Sequence, residues 1–344
     1  MRIVFNFLIL LFAGVLNAQQ GGSTSFQILQ TISPARAAAL GGNAIAVRDG
    51  DLNLGLIAPS LLDSTTSGQI ALGYTRLFGS ANIGHAAYAQ HFRNFGTVAF
   101  AIQNLGYGEF DMTDETGALI GNFNAGEYIF QLGYSRPLDE KFSIGSNLKF
   151  VYSELAEYKA SAIAVDLSGT YYDSEEQFTA TFLIKNLGSP ISTYREGIEE
   201  NLPFEIQAGV SKRLDKAPLR FSLIAENLQR WDMTPEPEEE ITIDPLTGEE
   251  IDNTQGGFGE NLARHLVFNT EILLGENFNI RFGYNYNRRQ QLKIEERPGL
   301  SGITYGIGMR VAKFHLSYAR AAYNLAGVSN HFSIGIKFDD FRKA

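Results

Sequence analysis

Ser146 and Lys149 are the residues whose types and spacing come nearest to catalytic chemistry in this chain. They match the Ser-x-x-Lys pattern of penicillin-binding proteins, in which the serine is the nucleophile. That chemistry needs a helix to bring both side chains to one face, whereas the flanking residues alternate with the two-residue period of a strand. The chain also holds no Ser-Asp-Asn or Lys-Thr-Gly partner motif. We therefore predict no catalytic residue and no enzymatic activity.

The residue types that bind metals form no recognisable site. The five histidines, at 85, 91, 265, 315 and 331, have no metal-ligand spacing, and the chain has no cysteine. An exported protein without cysteine has neither a disulfide framework nor thiolate metal sites. We predict no metal and no cofactor.

An acidic run from Asp232 to Glu260 holds ten carboxylates and no Lys or Arg. Three interpretations remain open: a solvated loop, a docking surface for a protein partner, and a calcium site, although the usual 12-residue calcium loop is absent. Our hypothesis is that this run and a second loop at 107–125 form part of a docking surface. The candidate docking residues are Asp232, Glu236, Glu238, Glu239, Glu240, Asp244, Glu249, Glu250 and Asp252.

The first residues predict export from the cytoplasm, and the net charge disfavours a nucleic-acid partner. Residues 1–18 have the charged start, apolar middle and small final residue of a secretory signal peptide, with cleavage expected after Ala18. Loss of Arg2 with this peptide changes the formal net charge from −10 to −11. Because phosphate binding needs a basic surface, we expect no nucleic-acid partner.

The rest of the chain has the period of a membrane barrel. Apolar residues alternate with small or polar ones, as in Phe278–Asn287, and no later run reaches the roughly 18 apolar residues of a spanning helix. Residues 69–341 are therefore predicted to form an all-β, transmembrane antiparallel barrel of about 14 strands. The predicted strands are 69–77, 80–92, 96–106, 126–136, 142–154, 160–172, 177–187, 203–213, 218–228, 265–275, 277–288, 302–312, 314–323 and 330–339.

The connections between these strands alternate between short and long. The longest are 107–125, 188–202, 289–301 and the acidic loop 229–264. Bacterial barrels keep short turns in the periplasm and long loops outside, so we predict an outer-membrane protein with both mature termini periplasmic. A soluble periplasmic sandwich would explain the strands but not this alternation of loop length.

Three strand ends share an Asn-Leu pair, namely Asn104-Leu105, Asn186-Leu187 and Asn227-Leu228. Asn tolerates the left-handed backbone needed where a strand leaves the sheet. We interpret the repeat as a shared rim turn rather than a ligand site.

Residues 19–68 are too irregular for a strand and too apolar for a free tail, and residues 35–46 could form a short helix and a glycine turn. A barrel of about fourteen strands is too wide for its own side chains to fill. We therefore predict that 19–68 is an N-terminal hatch, folded into the lumen as a plug.

The same segment carries a family resemblance. Gly21-Gly22, Phe26-Gln27-Ile28-Leu29, residues 33–43, residues 49–54 and Pro59-Ser60-Leu61-Leu62 resemble the mature start of the PorQ family, outer-membrane components of the type IX secretion system of Bacteroidetes. The resemblance implies a barrel of the FadL fatty-acid transporter type, related to PorV, with fourteen strands and a hatch. One departure is Ala58 where the family tends to have Asn. The hatch motif residues are Arg36, Leu40, Gly41, Gly42, Asn43, Asp49, Asp51, Asn53 and Pro59.

The resemblance also implies a function. Such a barrel would be a non-enzymatic membrane anchor for PorZ, a surface protein of the attachment complex that contains PorU and PorV and attaches secreted cargo. Two alternatives remain: a FadL-like transporter of hydrophobic small molecules, and a PorV-like shuttle for cargo signal domains. The inward polar residues expected in the strands disfavour a continuous apolar path for transport. They include Asn147, Lys149, Asn279, Arg281 and Asn285.

Overall fold

The computed structural model describes residues 26–195, 201–234, 257–292, 299–324, 327–338 and 341. The predicted signal peptide and the docking candidates from Glu236 to Asp252 lie outside the described residues. None of the described helices is long and apolar enough to cross a membrane.

Fourteen antiparallel strands close into one barrel, which confirms the predicted fold class and strand number. Each strand pairs with its neighbours in sequence, and β1 pairs with β14 from Gln69↔Lys337 to Arg76↔Asn330. The strands are β1 Gln69–Arg76, β2 Asn82–Phe92, β3 Gly96–Thr113, β4 Leu119–Pro137, β5 Phe142–Leu155, β6 Tyr158–Asp173, β7 Phe178–Ser192, β8 Glu205–Arg213, β9 Leu219–Ala225, β10 Leu266–Leu274, β11 Phe278–Asn285, β12 Ile303–Val311, β13 Phe314–Asn324 and β14 Gly327–Lys337.

The helices are short and belong to the N-terminal segment or to the connections between strands. They are α1 Ala35–Ala39, α2 Leu52–Ile57, α3 Phe258–Arg264 and α4 Tyr286–Gln291, with 3₁₀ turns at Gln27–Gln30, Pro59–Leu61 and Ser64–Thr66. The connections after even-numbered strands are short, and the barrel end that carries them is called the short-turn end. The opposite end carries 193–204, 226–265 and 286–302 and is called the long-loop end.

The two-residue period separates an apolar outer face from a polar inner face. Outward side chains are large and exposed, as a lipid-facing surface requires. They include Leu72, Tyr74, Phe100, Phe130, Leu132, Phe150, Phe182, Phe221, Phe268, Phe282, Phe332 and Ile334. The inward side chains are buried, and many are polar, among them Thr75, Asn147, Ser153, Gln207, Asn269, Glu271 and Arg281.

Two predictions about the strand ends were wrong. Most of the predicted loop 107–125 is strand, because β3 and β4 continue as a hairpin and only 114–118 connects them. Asn104 consequently lies within β3, opposite Tyr128, and not at a rim turn. Asn186 also lies within β7, where its φ of 57° falls at a bulge opposite β6. The interpretation holds only for Asn227, which lies beyond the end of β9 and has a φ of 56°.

Candidate functional site

The N-terminal segment, residues 26–68, runs from one end of the barrel to the other. At the long-loop end the ring of Phe26 lies 6.2 Å from that of Tyr194. At the short-turn end the Gly68 N–H donates to the Ala89 carbonyl at 2.8 Å. In between, α1 contacts β11 to β14, and the 3₁₀ turn Pro59–Leu61 contacts β4 to β6 on the far side. The segment therefore bridges opposite parts of the wall.

Arg36 is the most heavily bonded side chain of the segment. It belongs to α1, an alanine-rich turn that follows Pro34, and is only 7% exposed. Its guanidinium donates to both oxygens of Asp49, at 2.9 and 2.7 Å, and to Asp51 at 3.1 Å. It also donates to Glu271 of β10, through Nε at 3.1 Å and Nη2 at 2.9 Å. One side chain thus joins two parts of the segment to the wall.

Two wall arginines complete what we call the Arg36 cluster: Arg36, Asp49, Asp51, Arg220, Glu271 and Arg281. Arg220 of β9 donates to Asp49 and to Glu271, each at 2.8 Å. Arg281 of β11 donates to Glu271 at 3.2 Å and to Ser317 at 3.1 Å. Three guanidinium groups therefore face three carboxylates, so the formal charges balance within the cluster.

This balance fixes the ionisation of the segment's own groups. Burial favours the neutral form of Asp49, but the charges of Arg36 and Arg220 outweigh it and hold the pKa of Asp49 well below its ordinary value. Burial likewise opposes the charge of Arg36, yet Asp49, Glu271 and Asp51 raise the pKa of its guanidinium. Arg36 and Glu271 are buried together with partners of opposite charge, which is the condition under which buried charges are tolerated, whereas the Asp49 side chain is 29% exposed.

Gly41 and Gly42 form the expected glycine turn after α1, with φ values of 70° and 98°. The Gly41 N–H donates to the Thr304 hydroxyl at 2.9 Å, and that hydroxyl donates to the Ala39 carbonyl at 2.9 Å. The turn lies directly on Gly283 of β11, where a Cβ atom would stand 2.1 Å from the Gly41 nitrogen. Only glycine at 283 allows the two backbones this approach.

Asn43 connects the segment to three wall side chains. Its amide donates to Glu226, which also accepts from Asn285 at 2.8 Å. Its side-chain oxygen accepts from Gln207 at 3.3 Å, and its backbone carbonyl accepts from Asn269 at 3.0 Å. The side-chain nitrogen, the side-chain oxygen and the backbone carbonyl of Asn43 therefore each have a hydrogen-bond partner.

His85 of β2 joins two parts of the segment in the same way. Its Nδ1 lies 2.5 Å from the Ser33 hydroxyl, and its Nε2 lies 3.0 Å from Oδ1 of Asn53. Since Asn53 Oδ1 can only accept, Nε2 carries the proton and Nδ1 accepts from Ser33. The neutral imidazole satisfies both neighbours.

The last part of the segment is bonded to β4, β5 and β6. The Leu56 carbonyl accepts from Gln131 at 2.8 Å and from Asn147 at 2.9 Å. Ser60 bonds to Ser168 and Thr170 of β6, at 2.8 and 2.7 Å. Pro59 stands against Gly145 of β5, where a Cβ would meet its carbonyl carbon at 2.4 Å.

Each of the nine hatch motif residues is thus placed in the described structure; Leu40 is buried, at 1% exposure, whereas Asp49 is exposed. Lys149 faces inward and pairs with Asp166 at 2.7 Å, while Ser146 lies on the other face of β5. The sequence reasoning missed the wall partners Arg220, Glu226 and Glu271. Their signal was available, because Arg220 and Glu271 are charged residues at inward positions of predicted strands.

Comparison with known proteins gives structural similarity alone. No family model matches the chain, and no curated protein matches it. The Ralstonia pickettii toluene transporter TbuX is 11% identical, with 89% of this chain and 98% of that chain covered and a TM-score of 0.48. The Pseudomonas putida toluene transporter TodX is 11% identical, with 88% and 96% covered and a TM-score of 0.47. A Pseudomonas aeruginosa FadL homologue is 9% identical, with 89% and 98% covered and a TM-score of 0.46.

Proposed function

We propose that this protein is a non-enzymatic barrel of the bacterial outer membrane in which residues 19–68 form a permanent hatch. We further propose that it anchors a PorZ-like surface protein of the type IX secretion system, beside PorU-like and PorV-like components. The observation that carries the proposal is the Arg36 cluster, which ties the segment to the wall through the ion pairs Arg36–Glu271 and Arg220–Asp49.

The outer surface supports the membrane location. Its exposed apolar side chains provide a lipid-facing band. Aromatic pairs lie near the short-turn end, including Phe95 with Tyr134, and Phe142 with Tyr171, each with ring centroids 5.0 Å apart. Aromatic side chains at this height are typical of the boundary between hydrocarbon and headgroups. Lipid of the outer membrane is therefore the first partner of the barrel.

The energetics of the cluster favour an anchor over a channel. Moving Arg36 away would leave Glu271, whose side chain is 2% exposed, buried with one compensating charge fewer, which costs about 3–5 kcal/mol. A route through the barrel would need this separation at each passage. A hatch held in this way suits a barrel that stays closed and works through its surface.

The identity of the partner rests on the family resemblance. The residues that carry the resemblance, such as Arg36, Gly41, Asn43 and Asp49, are the ones that contact the wall. They therefore account for the hatch, and the partner must be bound elsewhere. The long-loop end offers the acidic loop and the β3–β4 hairpin for this purpose.

Affinity isolation of the tagged full-length protein from outer membranes, followed by mass spectrometry, tests the proposal. A PorZ-like surface protein recovered in stoichiometric amount supports the anchor. Recovery of cargo signal domains in its place would show a PorV-like shuttle, and recovery of neither would overturn both proposals.

One observation favours transport of hydrophobic small molecules as a second candidate. An apolar cluster packs the N-terminal segment against the inner wall at the long-loop end; Phe26, Ile28 and Leu29 come from the segment, and Ile83, Leu105, Ile129 and Val151 come from the wall. An apolar ligand that displaced these segment residues would meet an apolar wall. Uptake of a labelled hydrocarbon by vesicles that hold the purified barrel would favour this candidate, and absence of uptake would favour the anchor.

A further inference from the structure

The β3–β4 hairpin rises beyond the barrel wall. β3 pairs with β2 only as far as Gly106, opposite Asn82, and β4 pairs with β5 only as far as Ala125, opposite Leu155. From there to Thr113 and Leu119 the two strands pair only with each other among the described residues. Both outer edges of this part therefore present backbone groups that no described strand pairs.

The polarity of the hairpin reverses where it leaves the wall. Along the wall, the outward pairs Val98↔Tyr134, Phe100↔Leu132 and Ile102↔Phe130 are apolar. A bulge between Gly106 and Gly108 then adds one residue to β3 and shifts its faces relative to β4.

Above the bulge, the outward pairs are Glu109↔Asn124 and Asp111↔Asn122. The inward pairs are Phe110↔Phe123 and Met112↔Gly121, and the two phenyl rings stack with centroids 5.4 Å apart. Phe110 is 43% exposed and Met112 is 41% exposed. Above the bulge, these apolar side chains therefore face the barrel axis, whereas along the wall the apolar side chains face lipid.

This arrangement selects the kind of molecule that covers the face. Lipid does not fit, because the outward pairs Glu109↔Asn124 and Asp111↔Asn122 interrupt the lipid-facing surface with polar side chains. Anionic saccharide does not fit either, since no Lys or Arg occurs between Arg93 and Arg136, while Glu109, Asp111, Asp114 and Glu115 do. A surface that complements the hairpin is apolar opposite its inner face and carries basic side chains opposite its acidic residues. Such a combination belongs to a protein.

We propose that the hairpin at 107–125 is the docking element for the anchored surface protein, which presents an apolar patch bordered by Lys or Arg to Phe110, Met112 and Phe123. This inference rests on the proposed anchoring function and adds the surface and the chemistry of its partner. The free edge of β3 can also receive a strand of the partner by β-augmentation. The partner then lies over the mouth of the barrel and not beside it in the membrane.

The test uses the full-length protein in outer membranes. A benzophenone amino acid replaces Met112 on the inner face in one variant and Asn122 on the outer face in its matched control. After irradiation, we expect the surface protein that co-purifies with the wild type to crosslink through position 112 at least tenfold more than through position 122. A second pair compares Phe110→Ser/Met112→Ser with Asn122→Ser/Asn124→Ser, both outside the barrel wall. The first should retain roughly tenfold less partner, as for loss of interface anchors.

The outcomes separate the two proposals. If the wild type retains no surface protein, the anchoring function is wrong. If the wild type retains it and the Phe110/Met112 variant does so equally, the docking inference alone is overturned. Crosslinking of position 112 to the acidic loop of the same chain would also overturn it, because the face would then be covered internally. Equal crosslinking from both faces would contradict the orientation.

Discussion

Arg36 and Glu271, which are 235 positions apart in sequence, form a buried ion pair across the barrel interior, with Nη2 of Arg36 2.9 Å from Oε1 of Glu271. Both side chains are largely hidden from solvent, at 8% and 2% exposure. The pair therefore holds the N-terminal segment against β10 at a point where water cannot replace either partner. Its loss should have consequences that an exposed pair does not share.

Replacing Arg36 with Met should lower the free energy of unfolding by about 3–5 kcal/mol, because three carboxylates lose a buried partner. Urea-induced unfolding in lipid vesicles, followed through the single tryptophan, measures the change. Lys141→Met is the matched control, since Lys141 forms a 2.6 Å pair with Asp173 at the exposed short-turn end. Surface pairs contribute little. Equal urea midpoints for the two variants would contradict the structural role of Arg36.

The free energy of unfolding should decrease as the pH is lowered, and part of this decrease should depend on Asp49. Burial alone would raise its pKa, but Arg36 and Arg220 lower it, so acidification protonates Asp49 in the unfolded chain first. Its contribution is fully present above the unfolded pKa of about 3.9 and is lost as pH falls below it. The slope of the unfolding free energy between about pH 5 and pH 3 should decrease in Asp49→Asn. An unchanged slope would show that other carboxylates account for the acid sensitivity.

Gly283→Ala should displace the segment from the wall. The new Cβ would stand 2.1 Å from the Gly41 nitrogen and 2.7 Å from the Leu40 carbonyl carbon, so backbone has to move. We expect a loss of about 1–3 kcal/mol and faster trypsin cleavage after Arg36 or Arg48 in the folded barrel. Gly169→Ala in β6 is the control, because its Cβ would meet nothing within 4 Å. Wild-type protease resistance in Gly283→Ala would refute the close contact.

The strands could be predicted because the inner and outer faces differ in polarity at every second residue. Where the prediction failed, a side chain interrupts this rule. β11 ends at Asn285 and not at 288, because the Asn285 side chain accepts from the Arg288 N–H and starts α4. β9 ends at Ala225 because Asn227 turns left-handed and Glu226 bonds to the segment. Local period does not reveal such side-chain contacts.

The sequence predicted the residues that the N-terminal segment contributes to the candidate site, but not the wall residues that they contact. The segment residues were recognisable as a motif, but their wall partners depend on strand register and on the path of 26–68 between them. Nothing in the order of residues indicates that Arg36 meets Glu271 or that Gly41 lies on Gly283. The bulge at Gly106 and Gly108 was equally hidden, since one extra residue is visible only against its partner strand.

Deleting 233–260 should release the PorZ-like protein from the cell surface while the barrel still inserts. Most of the deleted range lies outside the described residues. The first docking candidate, Asp232, immediately precedes the deleted range and is exposed. Its carboxylate is held ready by the Thr234 N–H at 2.9 Å, and hydrogen bonds from Thr234 lower the pKa of Asp232, so the charge persists at neutral pH. The deletion removes nine of the ten carboxylates of the run and would weaken attraction to a basic partner.

Whole-cell labelling of the surface protein, with heat-modifiability of the barrel on gels as the insertion control, measures this release. A matched variant that keeps the loop length but replaces its Asp and Glu residues by Asn and Gln separates charge from bulk. If charge carries the attraction, this variant should release the partner as the deletion does, and more readily at higher salt. Full retention in both variants would leave the β3–β4 hairpin as the docking element and exclude the acidic loop.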